Sequence, residues 1–220
     1  MLVAGVDDAG RGCVIGPLVI AGVLMKEEDL HKLVQIRVRD SKLLSPQQRE
    51  ALVPEIRRIA EKTAVVKLTP SEIDAVVLAG RKLHKLNWLE AQAMARVLED
   101  LKPDKAYVDA SDVLEARFKR DILDSMTLKP EVISEHKADR NYPIVSAASV
   151  IAKVERDKEI ADLIRAHGDF GSGYPSDPRT IQFLQQCLTK SHDYPDFVRK
   201  SWKPAKEAID ARDSRHRTLG

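Results

Sequence analysis

A chain of 220 residues, 43% apolar and 32% charged, can bury a real core beneath a soluble surface. Its two cysteines, Cys13 and Cys187, lie far apart with no paired spacing, which argues against a disulfide framework or a zinc site and for a reducing cytoplasm. The net charge of +2 hides an asymmetry: residues 199–220 hold seven Lys and Arg against three Asp and Glu, a basic tail on a near-neutral body.

The chain opens on strands, Leu2 to Val6 and then Val14 to Leu24, separated by a glycine-bearing turn that reads as a hairpin. The apolar stretch Cys13 to Met25 is too short to span a bilayer and is broken by Gly16, Pro17 and Gly22. Asp7 and Asp8 precede it instead of a basic region, so it is no signal peptide. Ser45-Pro46-Gln47-Gln48 supplies an N-cap, a first-position proline and a capping partner for a helix that places Leu52, Val53, Ile56 and Ile59 on one face. Pro54 lies inside that helix and should kink it. Thr63 to Thr69 reads as a strand ended by Pro70 and Ser71.

Leu83, Leu86, Met94, Val97, Leu98 and Leu101 recur at helical spacing after Gly80. Lys105 to Asp109 is a short strand ending on a carboxylate. Val113 to Leu123 suggests a helix and Glu131 to Ser134 a strand. Pro143 to about His167 is a long helix in which Ser146, Ala147, Ala148 and Ser149 permit close packing. Asp177-Pro178 caps another. Strands alternating with helices after a hairpin give an α/β fold with a mixed sheet.

The acids fall where the strands end. Asp7 and Asp8 close the first strand, Asp109 closes a later one, and Asp139 precedes the long helix. Strand ends at one edge of an α/β sheet are where ligand sites form. Carboxylates gathered there repel unless cations neutralise them, and hard oxygen ligands select magnesium or manganese. Taken singly, an Asp at a strand end is more often a turn former or cap. Adjacent Asp7 and Asp8 are harder to explain that way, because two acids there help no fold.

Gly10-Arg11-Gly12 is not a dinucleotide fingerprint, since Gly16 arrives one residue late and a strand follows. It is either a plain hairpin turn with an exposed Arg or a place where backbone meets a nucleic-acid backbone and Arg11 meets phosphate. The tail is either an ordinary solvated helix or a phosphate-contacting surface, with Arg199, Lys200, Lys203 and Lys206 as candidate contacts.

The blocks Gly5-Val-Asp7-Asp8-Ala-Gly10-Arg11-Gly12-Cys-Val-Ile-Gly16-Pro17, Asp40-Ser41-Lys42-Leu-Leu-Ser45 and Ala106-Tyr107-Val108-Asp109 resemble the type 2 ribonucleases H, archaeal members in particular. So do His136-Lys137-Ala138-Asp139, Tyr142-Pro143, Ala147-Ala148-Ser149-Val-Ile-Ala-Lys153 and Gly171-Ser-Gly173-Tyr174-Pro-Ser-Asp177-Pro-Arg179-Thr180. The blocks keep the family's order and spacing from residue 5 to about 180.

The resemblance implies a ribonuclease H-like mixed sheet flanked by helices over residues 1–180 and a helical, basic region over 181–220. It implies that Asp7, Asp8, Asp109 and Asp139 are catalytic and ligate two Mg²⁺ or Mn²⁺ ions. Gly10, Arg11 and Gly12 would contact the ribonucleotide's 2′-hydroxyl and flanking phosphate, Lys42 a phosphate, and Tyr174 the sugar of the next deoxynucleotide. Without the resemblance, Tyr174 would read as a half-buried aromatic anchor. The implied partners are RNA/DNA hybrids and DNA duplexes containing ribonucleotides, cut 5′ of the ribonucleotide to leave a 5′-phosphate and a 3′-hydroxyl. Nothing calls for a membrane or for more than a monomer.

One position departs from the family, which has Glu where this chain has Asp8. Successive strand side chains point to opposite faces, so the second acid must reach around to share ions with the first. Asp falls short of Glu by roughly one bond length, about 1.5 Å. The expectation is weakened activity or a shift toward manganese; the alternative is a hybrid-binding protein silenced at Asp8.

Overall fold

The computed structural model describes residues 1–38, 44–79, 85–191 and 193–218. Lys42 and Leu83, on which expectations were placed above, lie outside the described residues. Two compact units divide the chain: the first takes the described parts of 1–9, 19–67 and 83–155, the second those of 10–18, 68–82 and 156–220.

The strands are β1 (Leu2–Ala9), β2 (Leu18–Lys26), β3 (Lys62–Leu68), β4 (Lys105–Asp109) and β5 (Glu131–Glu135). The helices are α1 (His31–Gln35), α2 (Pro46–Ile59), α3 (Pro70–Leu78), α4 (Lys85–Leu101), α5 (Glu115–Asp124), α6 (Ala138–Asn141), α7 (Pro143–His167), α8 (Pro178–Lys190) and α9 (Lys203–Thr218). The strands form one mixed sheet in the order β3-β2-β1-β4-β5. The expected hairpin is present: β1 and β2 pair antiparallel from Leu2↔Lys26 to Ala9↔Val19. On its other side β1 runs parallel to β4, Val3↔Lys105 to Val6↔Val108, and β4 runs parallel to β5.

Glycines in the sheet show how its two faces are covered. A Cβ on Gly5 would collide with the backbone of Ile144 and Val145, so α7 lies directly on that face. A Cβ on Gly22 would strike the side chains of Val97 and Leu101, which places α4 on the other. Gly22 pairs with Val6, whose side chain therefore points to the α4 face, and its neighbours Gly5 and Asp7 point to the α7 face. A strand covered on both sides has no need of polar alternation, and residues 18–25 of β2 are all buried.

The first unit's core joins Val23, Met25, Leu33, Val53 and Ile56 to Ile144, Val145, Ala148 and Ile151. Truncating a fully buried member such as Ile151 to Ala would cost about 2–5 kcal/mol. The second unit packs Val14, Ile15, Ile160, Phe170, Leu184, Leu188, Tyr194 and Val198 into a core of its own.

Local signals hold in detail at α2, where the Ser45 hydroxyl accepts from the Gln48 amide at 3.2 Å and the Gln48 side chain accepts from the Ser45 amide at 2.8 Å. The helix continues through Pro54 to Ile59. Pro70 and Ser71 do more than end a strand: Thr69 and Glu72 form a second capping box, Pro70 takes the first helical position, and α3 follows.

Candidate active site

In the first unit the sheet register brings the acids to one end. Val6 of β1 and Val108 of β4 are parallel partners, and Asp7 and Asp109 are the next residues on their strands. Oδ1 of Asp109 accepts the amide N–H of Ala138 at 3.0 Å, which fixes the start of α6 and the adjacent Asp139 to the end of β4. Asp7 and Asp139 are both buried.

Asp7 faces α7, and the groups that meet it come from that helix. Nζ of Lys153 donates to the Ser149 hydroxyl at 2.6 Å, and Ser149 donates its own proton to Asp7. Burial pushes the Asp7 carboxyl well above its usual range, the charges of Asp8 and Asp109 push it further, and Ser149 and Lys153 oppose them. Asp8 points to the α4 face. Its amide donates to Oδ1 of Asp7 at 2.7 Å, and its own Oδ1 lies 3.5 Å from the Ser111 hydroxyl, which donates to fully buried Glu90 of α4 at 2.8 Å.

Ser111 is held by its neighbour: buried Asp112 accepts the Leu114 amide and the Arg117 guanidinium, which keeps its carboxyl well below the usual range, Arg117 being the larger cause. Ser149 was expected only to permit close packing, and Lys153, Ser111 and Glu90 carried no expectation. The available signal was the four-residue spacing of Ser149 and Lys153, which puts both on one helix face.

These residues fit a hard divalent cation in kind. The donors are carboxylate oxygens, and the mutual repulsion felt at Asp7 is what a cation would relieve. Among the described residues no three acidic, His or Cys side chains stand close enough to cage an ion as they are. Like charges gain by standing apart, so drawing these carboxylates inward requires a cation between them.

The second unit holds Gly10, Arg11, Gly12 and Tyr174. Among the described residues a Cβ on Gly12 would meet only the Tyr174 ring, at 3.8 Å, so the Gly10-Arg11-Gly12 turn and Tyr174 lie together. The Gly173 carbonyl accepts the amides of Val14 and Ile15 at 2.9 and 3.2 Å, which ties the two loops by backbone. Arg156 of α7 secures them by side chain, bonding Sγ of Cys13 at 3.0 Å and the Ser172 carbonyl, with its guanidinium 4.7 Å from the centre of the Tyr174 ring. The loop at 171–177 also bonds itself, the Asp177 carboxylate accepting the Ser172 amide at 2.8 Å, and it is tied to α8 by the Gly173 amide donating to the Thr180 hydroxyl at 3.1 Å.

One expectation is overturned. Arg199 is no surface contact for phosphate: it is fully buried and spends its guanidinium on backbone carbonyls, and burial lowers its pKa to about 10. Lys200 is occupied by Asp193 at 2.9 Å and Lys203 by Glu207 at 3.5 Å.

The family model for ribonuclease HII matches residues 4–205. The ribonuclease HII of Pyrococcus abyssi is 45% identical over 209 residues, covering 94% of this chain and 91% of that protein. The chain belongs to the ribonuclease HII family. Its fold agrees with the crystal structure of ribonuclease H2 from Pyrococcus horikoshii, with a TM-score of 0.88 at 45% identity over 96% of this chain and 98% of that one. It agrees also with the ribonuclease HII from Archaeoglobus fulgidus solved in complex with PCNA, with a TM-score of 0.82 at 45% identity over 92% and 96% of the two chains. As a ribonuclease HII the chain is an endoribonuclease, a divalent-metal-dependent hydrolase whose activity is on RNA/DNA hybrids. No helix among the described residues is long and apolar enough to cross a membrane.

Proposed function

We propose that this chain hydrolyses the RNA strand of RNA/DNA hybrids and cuts 5′ of ribonucleotides embedded in duplex DNA, leaving a 5′-phosphate and a 3′-hydroxyl. The observation that carries the reading is the gathering of Asp7, Asp109 and Asp139 at one end of β1, β4 and α6, with Asp8 beside them. Asp7, Asp8, Asp109 and Asp139 would hold two Mg²⁺ or Mn²⁺ ions. Bound there, such a pair would supply charge stabilisation for an in-line phosphodiester displacement.

The chain's own part is to orient the ligands. Ser149, backed by Lys153, fixes one carboxylate of the set, and the Ala138 amide fixes another. In the second unit the Gly10-Arg11-Gly12 turn would read the 2′-hydroxyl and flanking phosphate, the feature that separates RNA from DNA at one position. Tyr174, with Arg156 over its ring, would stack on the neighbouring deoxyribose. Lys42 is proposed for a phosphate from the family resemblance alone. Both cysteines are free thiols, in keeping with a cytoplasmic protein, and we take it to act as a monomer.

The test is cleavage of a labelled DNA duplex carrying one ribonucleotide, in Mg²⁺ and in Mn²⁺. The expected product is a single cut on the 5′ side of the ribonucleotide, with a 5′-phosphate on the downstream fragment. Tight binding with no cut in either metal, by this chain or by Asp8→Glu, would replace this reading with that of a hybrid-binding protein.

A further inference from the structure

Arg199 lies 189 residues from Gly10 in sequence, yet its guanidinium takes the carbonyls of the very turn that the proposed function assigns to the ribonucleotide. Nη2 donates to the Gly10 carbonyl at 2.8 Å, Nη1 to the Arg11 carbonyl at 2.9 Å, and Nε to the Gly16 carbonyl at 3.1 Å. The backbone closes the arrangement, with the Arg199 amide donating to the Val14 carbonyl at 2.8 Å. The guanidinium packs on the Trp202 ring, 4.8 Å from its centre. A buried charge is costly unless fully bonded, so placing one here for bulk alone would be a poor exchange.

The consequence follows from peptide geometry. No peptide bond in the described chain is cis, and in a planar trans peptide the C=O and the following N–H point opposite ways. With the carbonyls of Gly10 and Arg11 drawn onto Arg199, the N–H groups of Arg11 and Gly12 are directed away from it. Two successive donors so aimed form a small cradle for an oxygen of a hydroxyl or phosphate. Gly12 is exposed, so the cradle opens to solvent.

We propose that Arg199 is a positioning residue for substrate selection: by holding the Gly10 and Arg11 carbonyls inward it aims the Arg11 and Gly12 amides at the ribonucleotide. This rests on the reading that the Gly10–Gly12 turn meets the ribonucleotide. Lysine cannot replace it, because one ammonium cannot span three carbonyls in the plane a guanidinium offers.

The experiment compares wild type with Arg199→Lys and Arg199→Gln on two ligands: the KM for a duplex with one ribonucleotide, and the Ki of the all-DNA duplex of the same sequence as competitor. Both constants come from one preparation, so a misfolded fraction leaves their ratio unchanged. Both variants are expected to raise KM about tenfold, the low end of the weight of one charge-assisted hydrogen bond, with kcat and the all-DNA Ki within about twofold of wild type. Variants that discriminate as well as wild type would overturn the inference, as would KM and Ki rising together, which marks a general loss of structure. A wild-type chain that binds both duplexes alike would also overturn it, whereas a wild-type chain that leaves the ribonucleotide duplex uncut would overturn the proposed function itself, and this inference with it.

Discussion

The amide of Asp8 donates to Oδ1 of Asp7 at 2.7 Å, while the two side chains leave β1 on opposite faces, Asp7 toward α7 and Asp8 toward α4. Only Asp7 shares a face with Asp109, so the second acid has to turn back around the strand to serve the same ions. One methylene fewer shortens that reach by about 1.5 Å.

Restoring the length should restore the site. Asp8→Glu is expected to raise the cleavage rate in Mg²⁺ by up to about a hundredfold, the effect of correcting a misplacement near 1 Å, with a smaller gain in Mn²⁺. Equal rates and metal preference for the two proteins would show that Asp8 already reaches.

Asp7 is held at a cost to stability: a buried carboxylate repelled by Asp8 and Asp109 favours unfolding. In EDTA near neutral pH, Asp7→Asn should melt about 2–4 °C above wild type. Added Mn²⁺ should raise the wild-type Tm and leave the variant's unmoved, because only a site that binds in the folded state stabilises it. A variant that melts lower in EDTA would contradict this picture.

Ser149 acts on Asp7 from α7, with Lys153 behind it. Ser149→Ala should cost about 10–100-fold in Mn²⁺ affinity, read by calorimetric titration, as loss of an outer partner of a metal ligand does. An unchanged affinity would reduce Ser149 to a packing residue.

Much of this was legible in the sequence, and what was missed shares a cause. Lys105–Asp109 and Pro143–His167 were readable because apolar period and punctuation are local signals. Asp109 was readable at the end of β4, whereas β1 runs on through Asp7 and Asp8 to Ala9 instead of closing on them. Arg199 was misread as a phosphate contact because a charged residue in a basic tail gives no local sign of burial; its partners at Gly10, Arg11 and Gly16 are more than 180 residues away. Arg156 and Glu90 escaped for the same reason. The helix α3 was a different kind of miss, since Thr69, Pro70 and Glu72 spelled out its cap and only its shortness hid it.

Asp177 ties the 171–177 loop to α8 by charge, and its carboxyl lies well below the usual range because the Ser172 amide and then the Arg179 side chain favour the ionised form. A depressed folded pKa contributes stability above the unfolded value, near 3.9, and that contribution disappears as pH falls toward the folded value. Asp177→Asn should therefore melt below wild type at pH 7, with the gap closing below about pH 4. A gap that is constant from pH 7 to pH 2 would mean that the charge of Asp177 is not what holds the loop.

The central claim is that Asp7, Asp8, Asp109 and Asp139 form one metal-binding nuclease site, and single-turnover cleavage of a duplex with one ribonucleotide in Mn²⁺ tests it most directly. Wild type should cut once, 5′ of the ribonucleotide. Asp109→Asn and Asp139→Asn should each lose more than the about 10–100-fold expected of an outer partner, while still binding the duplex. Cleavage by either variant at the wild-type rate would contradict the account, because the residues on which the site is built would then be dispensable.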